Sequence, residues 1–377
     1  MTDPIRTATA PPPTASVPEF IATFVVILVS IGVLLVVDGW LARIDRNESR
    51  GHAASLFADG RSLLATHRAH EASERFASAV AIDRTNTAYE LGLAEAMLAD
   101  GRAAEAETTL ESVLDRAQTD GAANLMMARV LVTLGRTGEA KSFFHRAIYG
   151  GWSDDSLGQR AHSRFELIAL LARQGARQEL LAELLTIQDV PPDSLELRRR
   201  LGHLFIEAGS PAHGAELLRT VLQRFPDDAD AYAGMGDAAL AMGKLRTARA
   251  DLAAAVRLRP DDTTLVQQLS VADTALALDP LQRGIGVRSR EQRSRAVLAL
   301  TLQAHDRCAP PGAVRSTLTD SARKYLATDA RTRVERDDSD AALVLATDLW
   351  ESRGTGCGTK RSVTDKALAL IMAKLPT

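Results

Sequence analysis

The sequence predicts an all-α protein in which short amphipathic helices pair into hairpins that stack as a solenoid, behind one N-terminal apolar helix. Three observations support this. Residues 229–262 (ADAYAGMGDAALAMGKLRTARADLAAAVRLRPDD) contain two apolar stripes at helical spacing, separated by Gly243 and ended by Pro260. The same pattern recurs along the chain. An uncharged segment of eighteen residues, 20–37, lies near the N-terminus.

The hairpin pattern recurs at a regular interval of about 34 residues. Neither helix of one hairpin is long enough to be stable alone, so the copies must stack. The position of Ala248 holds mostly small residues in the other copies, with one departure: Gly214, Leu180, Ala140, Ala106 and Ala72. Four residues later each copy has a large apolar residue: Leu252, Leu218, Leu184, Phe144, Leu110 and Phe76. Because the step from Ala140 to Leu180 is longer than the others, about six extra residues are expected near 155–160.

This pattern resembles the tetratricopeptide repeat family, whose helix–turn–helix unit of about 34 residues has small, aromatic and proline positions at these offsets. The resemblance covers six repeats: 53–86, 87–120, 121–154, 161–194, 195–228 and 229–262. It implies a solenoid over residues 53–280, in which a helix at Thr264–Leu278 caps the last repeat. Trp152 stands where proline is usual, and the insertion that follows predicts either a hinge or partner-contact loop, or a tolerated surface insertion.

The N-terminal region contains a candidate membrane span. Residues 1–19 include three consecutive prolines and predict a disordered tail. As a helix, residues 20–37 would extend roughly 27 Å, enough for a bilayer core. With Trp40 as an interfacial residue, we expect a transmembrane helix over 20–41 and a juxtamembrane linker over 42–52. Two alternatives fit less well. The segment lacks the cleavage motif of a signal peptide, and its polar flanks argue against a buried core helix.

Two features point to opposite sides of the membrane. Arg43, Arg46 and Arg50 follow the span whereas Arg6 alone precedes it, which favours a cytoplasmic C-terminal side. Acidic residues lie among these arginines and weaken the preference. The two cysteines of the tail favour an oxidising compartment. We therefore expect a single-pass protein of the cytoplasmic (inner) membrane with its solenoid on the extracytoplasmic or periplasmic side; a cytoplasmic solenoid is the alternative.

The C-terminal region, residues 281–377, resembles no family. Its pattern predicts helices at Arg290–Arg307, Thr317–Ala327, Asp340–Ser352 and Thr364–Lys374, forming either a small helical domain or a continuation of the solenoid. Cys308 and Cys357 are the only cysteines of the chain. A disulfide between them is the favoured interpretation, worth roughly 4 kcal/mol in the chain-entropy model; two unrelated buried thiols are the alternative.

The resemblance implies that a partner binds the inner face, which the first helix of each repeat forms. At the fifth position of the repeats this face has Phe57, Leu91, Leu125, Phe165 and Arg199. At the ninth it has Arg61, Glu95, Arg129, His203 and Asp237. Apolar side chains beside charged ones are typical of a groove for an extended or helical peptide. Some members of the family bind the C-terminal carboxylate of a peptide with lysine or arginine and asparagine. No asparagine stands at the ninth positions here, so we do not expect such a site.

Several classes of function have no support in the sequence. The motifs of zinc proteases, nucleotide-binding loops and serine hydrolases are missing, so we expect no catalytic residue, cofactor or metal and no enzymatic activity. His67 and His70 are close together but lack a third ligand type at metal-binding spacing. The net charge is −3, which argues against nucleic acid as a partner.

The leading hypothesis is therefore a membrane-tethered scaffold that binds a peptide or protein in envelope assembly, secretion or a related complex. A bacterial origin is inferred from the tether and from the excess of arginine over lysine, 39 to 6. A self-associating structural subunit of a membrane complex is the alternative. An enzyme with its active site in residues 281–377 is a third and weaker one.

Overall fold

The computed structural model describes residues 17–153, 156–187, 194–308, 317–328, 339–353 and 362–375. The regular structure in these ranges is helical, except for one isolated bridge between Asp120 and Gly151. The helices are α1 Val17–Ala65, α2 Ala69–Ile82, α3 Thr87–Ala99, α4 Ala103–Arg116, α5 Gly121–Thr133, α6 Thr137–Tyr149, α7 Ser156–Gln174, α8 Arg177–Leu185, α9 Leu195–Glu207, α10 Pro211–Arg224, α11 Ala229–Ala241, α12 Leu245–Leu258, α13 Thr263–Leu278, α14 Val287–Cys308, α15 Thr317–Ala327, α16 Ser339–Glu351 and α17 Val363–Met372. The chain divides into two compact units, Met1–Leu167 and Ile168–Thr377.

The N-terminal helix is longer than the sequence predicts. Helix α1 runs without interruption for 49 residues and ends as the first helix of repeat one. The segment 42–52, expected as a juxtamembrane linker, is helical and continuous with the rest of α1. Residues 17–19 of the expected tail are also helical, and residues 1–16 lie outside the described residues.

The expected membrane span forms the N-terminal part of α1. The large apolar side chains described between Phe24 and Trp40 are exposed. Over the side chains that the structure describes, no helix combines the length and the apolarity that a bilayer crossing requires. The transmembrane helix expected at 20–41 is thus unsupported by the structure.

The turns between the two helices of each repeat recur along the backbone at the interval predicted from the sequence. A glycine with positive φ follows the first helix of five repeats: Gly101, Gly135, Gly175, Gly209 and Gly243. These glycines are evenly spaced except for a longer step from Gly135 to Gly175, so the insertion appears where the sequence predicts it. In repeat one the equivalent residue is His67, with φ 59°. Glycine suits this left-handed conformation because it has no Cβ to meet the following carbonyl.

Unit 1 contains the first three repeats and the start of the fourth. The small positions Ala72, Ala106 and Ala140 are fully buried, and Phe76 and Leu110 fill the space beside them. Full burial of one such large side chain stabilises the fold by about 1.5–3 kcal/mol. Side-chain oxygens cap two of the first helices. The oxygen of Asn86 accepts a backbone N–H at the start of α3, and that of Asp120 accepts one at the start of α5.

The insertion before repeat four is helical. Helix α7, the first helix of that repeat, has 19 residues, whereas the equivalent α3 and α5 have 13. The extra residues lengthen α7 at its N-terminus, so residues 156–160 are helical and do not form a loop. Residues 154–155 lie outside the described part of the chain.

Unit 2 continues the repeats and then closes them. Leu180, Leu184, Leu218 and Leu252 are buried at the predicted core positions. Asp228 and Asp262 cap α11 and α13 by accepting backbone N–H groups. Helix α13 starts within one residue of the predicted cap of the solenoid.

The C-terminal region has its own core and also packs on the last repeat. Side chains from α14 to α17, including Leu298, Tyr325, Leu349 and Ile371, form one buried cluster. Ala367 of α17 packs with Ala275 of α13. The region is therefore a small helical bundle attached to the end of the repeats, which combines the two predicted alternatives.

The boundaries of the C-terminal helices agree with the sequence prediction to within a few residues. Helix α14 begins at Val287 instead of Arg290. Cys308, the last residue of α14, is disulfide-bonded. Cys357 lies outside the described residues, and the pairing of the two cysteines stays a prediction.

Candidate peptide-binding faces

The first helices of unit 1 present the predicted row of apolar side chains. Phe57, Leu91 and Phe165 are half-buried, whereas Leu125 is only 5% exposed and belongs to the core. The Phe57 ring packs against the rings of Phe76 and Tyr89, with centroids 5.4 and 5.1 Å away. The row therefore has three partly exposed apolar side chains, of which Phe57 is held by one ring of its own repeat and one of the next.

Two charged residues of this face are available to a partner. Arg61 on α1 and Glu95 on α3 are exposed, and neither forms an ion pair within the described residues. They occupy the ninth position of successive repeats, on the same helices as Phe57 and Leu91. Opposite charges beside an apolar row fit the main chain and side chains of a bound peptide.

Arg129, by contrast, is already engaged. Its Nε donates to Glu166 Oε2 at 3.0 Å and its Nη2 donates to Glu166 Oε1 at 2.5 Å, which ties α5 to α7. Nε2 of His162 lies 2.8 Å from Glu166 Oε1 and joins the cluster. The hydrogen bonds to Glu166 raise the pKa of Arg129. Arg129 therefore links repeats three and four, and its predicted role in binding a partner stays a prediction.

This clamp has no direct signal in the sequence. Glu166 and His162 are 37 and 33 residues from Arg129. They stand at the sixth and second positions of repeat four, on a helix whose register follows the insertion. A search for opposite charges on successive first helices would have found the pair.

In unit 2, Arg199 has a similar internal role. Its guanidinium contacts Glu196 on the same helix and donates to Asp228 Oδ2 at 3.0 Å. Asp228 also caps α11, and its neighbour Asp230 bonds to Arg259. The network joins α9 to the next repeat, and a role of Arg199 in binding a partner stays a prediction.

His203 and Asp237 lie near each other on the first helices of unit 2. Gln268 Nε2, on α13, donates to Asp237 Oδ1 at 3.1 Å. Burial raises the pKa of Asp237, while the positive charge of His203 and the Gln268 hydrogen bond act in the opposite direction. The cluster is polar and partly covered, and Gln268 is the member that the sequence did not identify.

A metal site would need several ligands that converge on one point. In the described part of the chain, no three His, Cys, Asp or Glu side chains converge as metal ligands. His70 Nδ1 lies 3.1 Å from Asp100 Oδ2, and this hydrogen bond raises the pKa of His70. His67 lies in the tight turn before it and does not share this contact.

Comparison with known proteins agrees with the helical repeats. The family model of the tetratricopeptide repeat matches residues 63–123 and 205–271, one stretch in each unit. No curated protein sequence matches the chain significantly.

Solved structures with tetratricopeptide repeats are similar at low identity. The C-terminal part of a repeat-containing protein from Cytophaga hutchinsonii has a TM-score of 0.46 and 12% identity, covering 64% of this chain and 94% of its own. A repeat protein from Parabacteroides merdae has a TM-score of 0.40 and 15% identity, covering 78% and 99%. The protein YrrB, described as having an unusual peptide-binding site, has a TM-score of 0.43 and 18% identity, covering 52% and 97%. The match to the family covers residues 63–123 and 205–271, and in the part of the chain that the structure describes these stretches are arrays of helical hairpins with repeated turns.

Proposed function

We propose that this protein is a non-enzymatic scaffold that binds a peptide or protein partner on the first-helix face of unit 1. The observation that carries the proposal is the combination of half-buried Phe57, Leu91 and Phe165 with the exposed charges of Arg61 and Glu95. The apolar side chains supply the burial that drives association. The two charges supply orientation and specificity.

The binding face is pre-organised, which favours recognition without a large ordering cost. Phe57 is held between two aromatic rings. The Arg129–Glu166 clamp holds α5 against α7, where Phe165 lies. An extended or helical segment with apolar side chains at regular intervals is the partner that such a face suits.

We further propose that the scaffold is tethered to the cytoplasmic membrane of a bacterium and serves envelope assembly, secretion or a related complex. The support is the uncharged segment 20–37 and the exposed apolar side chains described on α1 between Phe24 and Trp40. An extracytoplasmic position of the repeats is supported by the two cysteines and opposed by Arg43, Arg46 and Arg50. A C-terminal alkaline phosphatase fusion tests this: activity supports export, and an inactive fusion overturns it.

Proximity labelling with a biotin ligase fused to the full chain tests the scaffold. The test variant exchanges two charges of the face, Arg61→Glu with Glu95→Lys. The matched control exchanges two exposed charges in unit 2, Glu207→Lys with Arg257→Glu, and both leave the net charge unchanged. We expect one distinct protein to be labelled about tenfold less with the test variant than with the control.

Two other outcomes would contradict the proposal. If the two variants label the same proteins equally, the partner does not use this face. If the full chain labels only further copies of itself, the protein is the self-associating subunit of the alternative hypothesis.

A further inference from the structure

A groove on the opposite helices of unit 1 is separate from the face described above. Helices α4 and α6, the second helices of repeats two and three, form its walls, and the buried side chains Met127 and Leu131 of α5 lie at its floor. Its volume is about 770 Å³. The groove is therefore large enough for several side chains of a bound segment.

One wall of the groove is a stripe of carboxylates. Glu107, Glu111 and Asp115 follow one another at four-residue intervals along α4 and all line the groove. Like charges at this spacing repel each other and destabilise a helix. A bound cation-bearing group would relieve this repulsion.

The positive charges of the groove neutralise one carboxylate of this stripe, Glu107, and leave Glu111 and Asp115. Arg136 donates to Glu107 and to Glu139. Arg146 lies over the Phe143 ring, 4.8 Å from its centroid. Glu111 and Asp115 are exposed and have no ion-pair partner within the residues that the structure describes.

The groove also offers apolar contact. Tyr149 at one end is 71% exposed, and Leu114 and Phe143 are half-buried along the walls. Exposed aromatic side chains beside a groove are typical anchors of protein recognition. The combination differs from a simple solvated helix face, which would have no apolar floor.

We propose that the α4–α6 groove is a second docking surface, which binds a basic peptide segment carrying an apolar side chain. Arginine or lysine of the segment pairs with Glu111 and Asp115, and the apolar side chain packs against Phe143 and Tyr149. The carboxylates repel nucleic acid and anionic lipid surfaces. A metal ion is not the occupant, because no convergent set of three ligands exists in the described residues.

Fluorescence anisotropy with the full chain in non-ionic detergent tests the proposal. The probe is a fluorescein-labelled peptide that alternates arginine with leucine, and its counterpart has glutamate in place of arginine. The test variant is Glu111→Lys with Asp115→Lys. The control variant, Glu207→Lys with Asp261→Lys, makes the same change of net charge at exposed sites in unit 2.

We expect the arginine peptide to lose affinity about tenfold in the test variant and less than about twofold in the control. Tyr149→Ala should also weaken binding, whereas the Arg61→Glu, Glu95→Lys exchange should not. The glutamate peptide should not bind the wild type. Equal losses in the test and control variants would show attraction to net charge alone and overturn the proposal, as would unchanged affinity in the test variant.

Discussion

The indole of Trp152 lies directly on Gly121. A Cβ added at Gly121 would overlap Cε2 and Nε1 of the indole, closer than any van der Waals contact allows. The Trp152 Nε1–H donates to the carbonyl of Ala147 at 2.9 Å, which fixes the ring. Beside it the Gly121 N–H donates to Gly151 O at 2.7 Å, so the turn before repeat three is bonded to the turn after it.

This contact predicts that Gly121→Ala destabilises the protein, because the added methyl must push the indole or the backbone aside. We expect a loss of about 1–3 kcal/mol in the free energy of unfolding. Gly138→Ala is the matched control, since Gly138 is also helical but has open space at its Cβ. There alanine should stabilise by up to about 1 kcal/mol. Urea unfolding measures both, and a neutral Gly121→Ala would contradict the packing.

The left-handed turn of repeat one predicts a stabilising substitution. His67 has a φ of 59°, at a position where five other repeats have glycine. Left-handed backbone costs a non-glycine residue about 1–2 kcal/mol, and the greater freedom of glycine in the unfolded chain offsets part of this.

His67→Gly should therefore raise the free energy of unfolding by about 0.5–1 kcal/mol. The reciprocal change, Gly101→Ala, places a side chain at φ 82° where no atom lies within 4 Å of the new Cβ. It should cost about 1 kcal/mol through conformation alone. Thermal melting compares the two, and a destabilised His67→Gly would mean that the imidazole makes a needed contact.

The clamp between α5 and α7 predicts that Arg129 matters for stability more than Arg61. Arg129→Ala leaves the partly buried Glu166 with His162 alone as its partner and should cost about 1–2 kcal/mol. Arg61→Ala removes an exposed charge that has no ion pair in the described part of the chain, and should change stability by less than about 0.5 kcal/mol. A double-mutant cycle with Glu166→Ala should give a coupling of about 1 kcal/mol. A coupling of zero would show that the pair contributes nothing measurable.

The raised pKa of Asp237 predicts a pH-dependent effect. Burial disfavours its carboxylate, so the folded-state pKa lies above the unfolded value of about 3.9. Its contribution to stability is fully present below that pH and is lost as the pH rises through the folded pKa.

Asp237→Asn removes this loss, so the variant should be more stable than the wild type at neutral pH. The difference should shrink as the pH falls towards about 3.9, where both side chains are neutral. Denaturant unfolding over this pH range measures it. A difference that does not depend on pH would assign the effect to packing or hydrogen bonding.

The docking of the C-terminal region depends on a buried ion pair. Lys374 Nζ lies 2.5 Å from Asp279 Oδ2, and Asp279 is only 3% exposed. Lys374→Met should cost about 3 kcal/mol, because it leaves a buried carboxylate without its partner. Adding Asp279→Asn should restore most of that loss. If the single and double variants have the same free energy of unfolding, the unpaired carboxylate of Asp279 is not the cause of the loss.

The sequence by itself determined the features that depend on neighbouring residues. The repeat period, the turn glycines such as Gly243 and the core positions such as Leu252 are all confirmed in the backbone and in burial. Helix α15 begins and ends at the predicted residues. These features are local, because a helix stripe or a left-handed turn is specified by residues only a few positions apart.

The tertiary structure decided which of the predicted binding residues are free. Arg61 and Arg129 occupy the same position of the repeat. Within the described residues Arg129 pairs with a carboxylate 37 residues away, whereas Arg61 has no ion pair. The insertion became extra turns of α7 instead of a loop, and the α4–α6 groove joins residues of two repeats. Whether a charge is paired depends on the distance between side chains of stacked helices, and that distance is set by packing rather than by spacing along the chain.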